Sequence, residues 1–146
     1  MTTFNHLQVL ESVTKLTSGI LTGSDSHLLL VEHPSMMACG TRAAVEHFNK
    51  MSVKSGALQI VTKTIGIATS LVVFYNKRER KYLYSASLSL SMLFYSPIAL
   101  GSINMALHDS KIDKDSSDTK EILLKWNRIH AVRTFVDFLA FSLLIF

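Results

Sequence analysis

The 146-residue sequence has few residues that could cross-link a fold or interrupt a helix by their ring. Cys39 is the only cysteine, which excludes an internal disulfide and any CxxC redox or zinc motif. Only two prolines are present, Pro34 and Pro97. The sequence also lacks HExxH, GxGxxG, Walker and GxSxG motifs, so it predicts neither a metal site nor phosphate chemistry on a glycine-rich loop.

Charge is scarce as well. Charged residues make up 18% of the chain and hydrophobic residues 48%, whereas soluble domains carry about 25% charge. From Tyr82 to Leu107 there is no Asp, Glu, Lys, Arg or His over 26 residues, and about 20 apolar residues suffice to cross a bilayer as a helix. The net charge of +4 is not gathered in a long basic run, which argues against nucleic acid. We therefore predict a lipid bilayer as the partner, and no nucleic acid.

The pattern of apolar segments predicts an all-α, integral membrane four-helix bundle that crosses the bilayer several times as one domain. Pro34 is expected to end the first helix, because the residue before a proline is pushed out of helical geometry. Residues 35–50 then form a short amphipathic helix at the membrane interface. The segments 75–82 and 108–121 are polar and are predicted as loops. The four long helices are predicted at approximately residues 4–32, 56–76, 82–107 and 122–146. A soluble four-helix bundle with unusually apolar helices is the alternative.

The last helix carries polar side chains that a bilayer should exclude. Trp126, His130, Arg133 and Asp137 recur at i, i+4, i+7 and i+11, so they share one face of a helix. Each charge at the bilayer centre costs about 2.5 to 3.5 kcal/mol on insertion scales. The face should therefore turn toward the other helices, and Arg133 and Asp137, one turn apart, are expected to pair.

Two other helices supply matching polar faces. The third repeats the same spacing with Pro97, Gly101, Asn104 and His108. The first places a polar residue at every seventh position, namely Glu11, Ser18, Asp25 and Glu32. We expect the three faces to converge on one buried cavity. The glutamates and histidines near Pro34 lack the spacing of a metal site.

Taken in order, these landmarks resemble a known family. LTG, VEHPSMM, SPIALGSINMALHD and LLKWNRIHAVRTFVDFLAF, between about Leu16 and Phe141, resemble the anthrone oxygenase-like family of small four-helix membrane proteins. The most distinctive elements are the Trp-x-x-x-His-x-x-Arg run that ends at Arg133, the His33–Pro34 pair and Asn104 before Leu107.

The resemblance implies a membrane oxygenase that oxidises an anthrone or a similar lipophilic phenol with dioxygen, without a metal or flavin cofactor. A base removes an acidic ring proton, and the electron-rich carbanion then passes an electron to oxygen. On the matching positions, the predicted base is His130, with His33 as a second candidate. Arg133 and Asn104 are predicted to stabilise the oxyanion. The residues predicted to bind the aromatic substrate are Trp126, His108, Asp25 and Asp137.

Two further functions stay open from the sequence. The same charges would serve a non-catalytic membrane protein, such as an assembly factor or a complex subunit, by holding its helices together. A proton or ion path rests only on the buried titratable groups. The sequence fixes neither the substrate nor the organelle, and it allows a homo-oligomer.

Overall fold

Every regular element of the computed structural model is helical within the residues it describes, 6–146. Four of the helices are long. The all-α prediction is confirmed for this part of the chain. The elements are α1 (His6–His27), a π-helical turn (Leu28–Glu32), α2 (His33–Ala38), α3 (Thr41–Lys77), α4 (Arg80–His108) and α5 (Ser117–Ile145).

The four long helices pack in a ring. α1 lies against α3 and α5, and α4 lies against the same two helices from the other side. α3 and α5 face each other across the ring with much less contact. This arrangement leaves space at the centre, where the polar faces of α1, α4 and α5 can meet.

Pro34 does not end the first helix, contrary to the prediction. The helix widens into the π-helical turn just before it, where the His33 N–H donates to the Leu28 carbonyl five residues earlier. Pro34 then lies at the start of α2, where a missing N–H removes no ordinary helical hydrogen bond. The chain turns only at Gly40, whose φ of 97° is one that glycine adopts readily.

The predicted interfacial helix at residues 35–50 is also wrong, because its C-terminal part is the beginning of α3. This helix runs for 37 residues without interruption. Val45 and Phe48, on its first turns, are buried in an apolar cluster with Leu107 of α4 and Trp126 of α5. The amphipathic pattern in this segment therefore serves packing inside the protein.

The two predicted loops are present but shorter. Only Arg78 and Glu79 separate α3 from α4, so these helices run antiparallel. The loop before α5 covers residues 109–116, and the Ser116 hydroxyl caps the next helix by accepting a hydrogen bond from the Thr119 N–H. Arg42 on α3 binds Asp115 in this loop, and its guanidinium holds the pKa of the Asp115 carboxyl below its ordinary value.

Two of the long helices, α3 and α4, are long and apolar enough to cross a membrane, by length and composition alone. Only 22% of the most apolar window of each is buried inside the protein, whereas a core helix of a soluble protein would be mostly buried. Within residues 6–146, α1 and α5 are long enough but too polar to meet the same criteria. Of the four predicted spans, these observations support two.

Candidate functional site

A cavity of about 270 Å³ lies between the four long helices and is partly open to the outside. This volume is close to the lower end, about 300 Å³, of pockets that hold small molecules. Its wall is mostly apolar, with a few polar side chains from each helix. The polar wall residues are Asp25 on α1, Ser52, Ser55, Gln59 and Lys63 on α3, Ser96 and Asn104 on α4, and Trp126 and Arg133 on α5.

Two ion pairs join three helices beside this cavity. Arg133 Nη2 donates to Asp25 Oδ1 over 2.9 Å, and Lys63 Nζ donates to both Asp137 oxygens over 2.8 and 2.9 Å. Asp25, Asp137 and Lys63 are only 1%, 2% and 5% exposed. The carboxyl groups of Asp25 and Asp137 are also neighbours, so the four side chains form one charge cluster.

The predicted pair of Arg133 with Asp137 is therefore wrong. Both residues lie on the inner face of α5, as their spacing indicated, but each pairs with another helix. A pair within α5 would join no helices, whereas the observed pairs link α5 to α1 and to α3. The two observed pairs leave none of the four charges unpaired.

Lys63 was not among the predicted site residues. It is the only charged residue between Ala57 and Tyr75, and a lone charge inside an apolar helix is a signal of an inward-facing functional group. Gln59, one turn earlier on α3, donates from Nε2 to Asp25 Oδ1 over 2.7 Å. Gln59 is uncharged, so unlike Lys63 it did not stand out from the apolar segment around it as a candidate site residue.

Trp126 is fixed from several sides. Its Nε1–H donates to Asn104 Oδ1 over 3.1 Å, which joins α5 to α4. The rings of His130 and His33 stack on it at centroid distances of 4.9 and 6.2 Å. Phe48 meets it edge-on at 5.4 Å. The structure thus brings Trp126 and Asn104 together on the cavity wall, as the two polar faces indicated.

His130 lies behind this wall. It is 0% exposed and does not line the cavity. Neither of its ring nitrogens makes a hydrogen bond of good geometry with any residue from 6 to 146, although the Asp25 main chain is nearby. Its contact with the cavity is through the Trp126 ring. The catalytic role predicted for His130 stays a prediction.

The remaining predicted residues are divided between the wall and its surroundings. Asp25, Asn104, Trp126 and Arg133 line the cavity, and Asp137 lies behind Lys63. His33 is buried away from the cavity, with Nε2 3.2 Å from the Leu123 carbonyl oxygen. His108 is on the surface, and its Nε2 lies 3.0 Å from the Ser52 hydroxyl.

Comparison of the sequence with models of known protein families finds a match over most of the chain. The family model described as Anthrone oxygenase matches residues 51–143, which is more than half of the sequence and contains most of α3 and α5 and all of α4. The chain belongs to the anthrone oxygenase family. The resemblance inferred from the sequence motifs is thereby confirmed. No curated protein and no solved structure matches.

The match to the anthrone oxygenase family starts at Met51, so it excludes α1 with Asp25 and α2 with His33. It includes the cavity residues Lys63, Asn104, Trp126 and Arg133. Most polar groups of the wall thus lie in the segment that defines the family, and α1 adds the carboxylate.

Proposed function

We propose that this member of the anthrone oxygenase family is an integral membrane oxygenase that oxidises a lipophilic phenolic or anthrone-type substrate with dioxygen in the cavity described above. The observation that carries the proposal is an apolar cavity with a carboxylate, two cations, two amides and an indole on its wall. Most of these groups lie in the segment that matches the family.

The wall suits this chemistry. Apolar side chains such as Leu21, Met92 and Leu100 hold a fused aromatic ring system and keep water from it. Arg133 and Asn104 supply hydrogen-bond donors where negative charge develops on the substrate oxygen. Dioxygen accepts electrons from the substrate anion, so the reaction needs neither a metal nor a flavin.

We also propose that all four long helices cross the bilayer. α3 and α4 meet the length and composition of spans. The outer surface of these two helices carries many large apolar side chains in exposed positions, including Val53, Leu58, Val61, Phe94, Ile98 and Met105. Such side chains are stable against lipid and unfavourable against water. Asp25 of α1 and Arg133 and Asp137 of α5 then lie inside, in the cluster with Lys63.

The test is oxygen uptake and quinone formation by the purified, metal-free protein with anthrone. We expect turnover by the wild type and a loss of about 100-fold or more in Arg133→Gln, as for removal of an oxyanion donor. Arg128→Gln is the matched control, because Arg128 is exposed on the same helix and lies outside the cavity. No turnover across a panel of anthrones and phenols would refute the proposal.

One observation favours a second candidate, a non-catalytic membrane component such as an assembly factor or complex subunit. The two buried ion pairs join α1, α3 and α5, and a clamp of this kind also stabilises a protein without activity. This function predicts that a stable partner co-purifies from the membrane and that the protein consumes no oxygen with any of the substrates above.

A further inference from the structure

Only three of the four charged side chains in the cluster line the cavity. Asp25, Lys63 and Arg133 line the cavity, whereas Asp137 lies behind Lys63 and is absent from the wall. The ionised cluster is neutral as a whole, but a ligand in the cavity meets two cations and one carboxylate. This asymmetry favours an anion in the cavity once the carboxylate has accepted a proton.

Asp25 is the one carboxylate on the cavity wall. Its Oδ1 accepts the hydrogen bonds of both Gln59 and Arg133, and its carboxyl group also neighbours that of Asp137. A general base must reach the proton that it removes. Asp25 lines the cavity, whereas His130 does not and lies against the Trp126 ring.

Both cations have donors left for a ligand. The Lys63 ammonium group has three N–H donors, and Asp137 takes two of them. Arg133 uses Nη2 for Asp25, and its buried Nε has no partner among residues 6–146. Each cation is thus held by one carboxylate and retains an unused donor.

We propose that Asp25 is the proton acceptor of the reaction and that Lys63, held from behind by Asp137, is a second cation that binds the substrate oxyanion beside Arg133. This inference rests on the proposed function. It assigns catalytic roles to a residue of α1, outside the family match, and to the lysine inside α3.

The proton balance supports a base on the wall. Asp25 takes a proton from the acidic ring carbon, and the electron pair of the C–H bond spreads onto the ring oxygen, between Lys63 and Arg133. The carbanion reduces dioxygen and forms a C–O bond, and Asp25 returns the proton to the peroxide. Asp25 then removes the second hydrogen of the same carbon, the O–O bond breaks, and the hydroxide leaves as water with that proton. The carbon becomes the second quinone carbonyl.

The first experiment measures kcat and KM for anthrone. Asp25→Asn keeps the size of the side chain and removes the base, and we expect kcat to fall about 100-fold or more with little change in KM. The paired variant Lys63→Met with Asp137→Asn removes both charges together, and we expect a similar fall. Should this pair not fold, Lys63→Gln replaces it, because its amide still donates to Asp137. Lys54→Met, on the exposed side of α3, is the control and should match the wild type.

The second experiment measures binding of a hydroxyanthraquinone by its visible absorption, which changes when the phenol ionises. Asp25→Asn should bind the ionised form at least as tightly as the wild type, because the neutral side chain leaves two cations facing the ligand. The Lys63 variants should bind it about tenfold or more weakly, with unchanged affinity for anthraquinone itself, which has no ionisable group. A purely structural role would weaken both ligands in all variants.

The outcomes separate the two proposals. Absence of wild-type turnover refutes the proposed function. Full kcat in Asp25→Asn together with its loss in His130→Ala would assign the base to His130 and overturn the inference. Unchanged binding of the ionised ligand in the Lys63 variants would remove Lys63 from the site.

Discussion

At the scale of single residues, Trp126 shows how the wall of the cavity is kept rigid. Its indole N–H is bound by Asn104, and three aromatic or imidazole rings surround it. A buried donor without an acceptor destabilises the folded protein, because it has lost its hydrogen bonds to water and gained none in exchange. The bond to Asn104 therefore fixes the orientation of the indole as well as joining two helices.

Asn104→Ala should lower the free energy of unfolding by about 1 to 3 kcal/mol, because it leaves the Trp126 donor buried and unpaired. Trp126→Phe in the same background should restore part of the loss. The measurement is equilibrium unfolding followed by far-UV circular dichroism, because Trp126 is the only tryptophan in the sequence and its fluorescence is lost in the Phe variants. Asn76→Ala, an exposed change on α3, is the control. Strictly additive effects of the Asn104 and Trp126 changes would show that the bond contributes nothing.

The sequence predicted which side of α5 is inside, but not the partners of its charges. Helical spacing alone places Trp126, His130, Arg133 and Asp137 on one face, and such spacing is a local property. Which carboxylate Arg133 binds depends on the rotation and depth of α1 and α3, and these are set by packing between helices. For this reason the predicted inward face of α5 is correct, whereas the predicted Arg133–Asp137 pair is wrong.

At the scale of helices, the contact between α1 and α3 depends on a glycine. A Cβ atom at Gly66 would lie 2.8 Å from Thr17 Oγ1, closer than such atoms approach. The Thr17 hydroxyl is held by hydrogen bonds to the Val13 and Thr14 carbonyls, so it does not yield easily. The two helices therefore approach closely at this point, next to Lys63 on the neighbouring turn.

Gly66→Ala should destabilise the protein by about 1 to 3 kcal/mol, since it forces α1 and α3 apart. Gly23→Ala is the matched control, because no atom lies within 4 Å of its added Cβ; there the helix should gain about 0.5 to 1 kcal/mol. Thermal unfolding of both variants in detergent gives the comparison. Equal stabilisation by the two changes would be incompatible with the close approach described here.

Two helix boundaries, near Pro34 and at the start of α3, were predicted wrongly because local sequence rules have exceptions. The rule that a helix ends before a proline failed at Pro34, because a π-helical turn lets the chain continue. The start of α3 was predicted too late because Lys50 and Lys54 interrupt the apolar pattern, although the buried face continues through Phe48. By contrast, α4 was predicted almost to the residue, since it contains a charge-free run.

At the scale of the whole molecule, many large apolar side chains lie on the outer surface of the helices, in addition to those of the core. The interior holds a cluster of four charges, while large side chains such as Ile98, which is 81% exposed, cover the outside. In water this surface would be an aggregation liability. In a bilayer it is the stable arrangement.

We therefore expect the protein to stay in the membrane fraction after extraction with alkaline carbonate. Ile98→Lys should reduce insertion, because a lysine near the centre of a span costs about 2.5 to 3.5 kcal/mol on insertion scales. Ser110→Lys, in the exposed loop between α4 and α5, is the control and should insert normally. Release of the wild type into the soluble fraction would contradict the membrane proposal.

The bonding of α4 differs from that of its neighbours. Among residues 6–146, ion pairs link α1, α3 and α5, and α4 shares none with them. Near the cavity the polar links of α4 are the bond from Trp126 to Asn104 and the contact of His108 with the Ser52 hydroxyl. The ion pairs thus tie α1, α3 and α5 together, whereas α4 packs closely on α3 and α5 mainly through apolar side chains. A change in the position of α4 would therefore break no ion pair, which makes this side of the cavity the one where a bound molecule could be accommodated without separating buried charges.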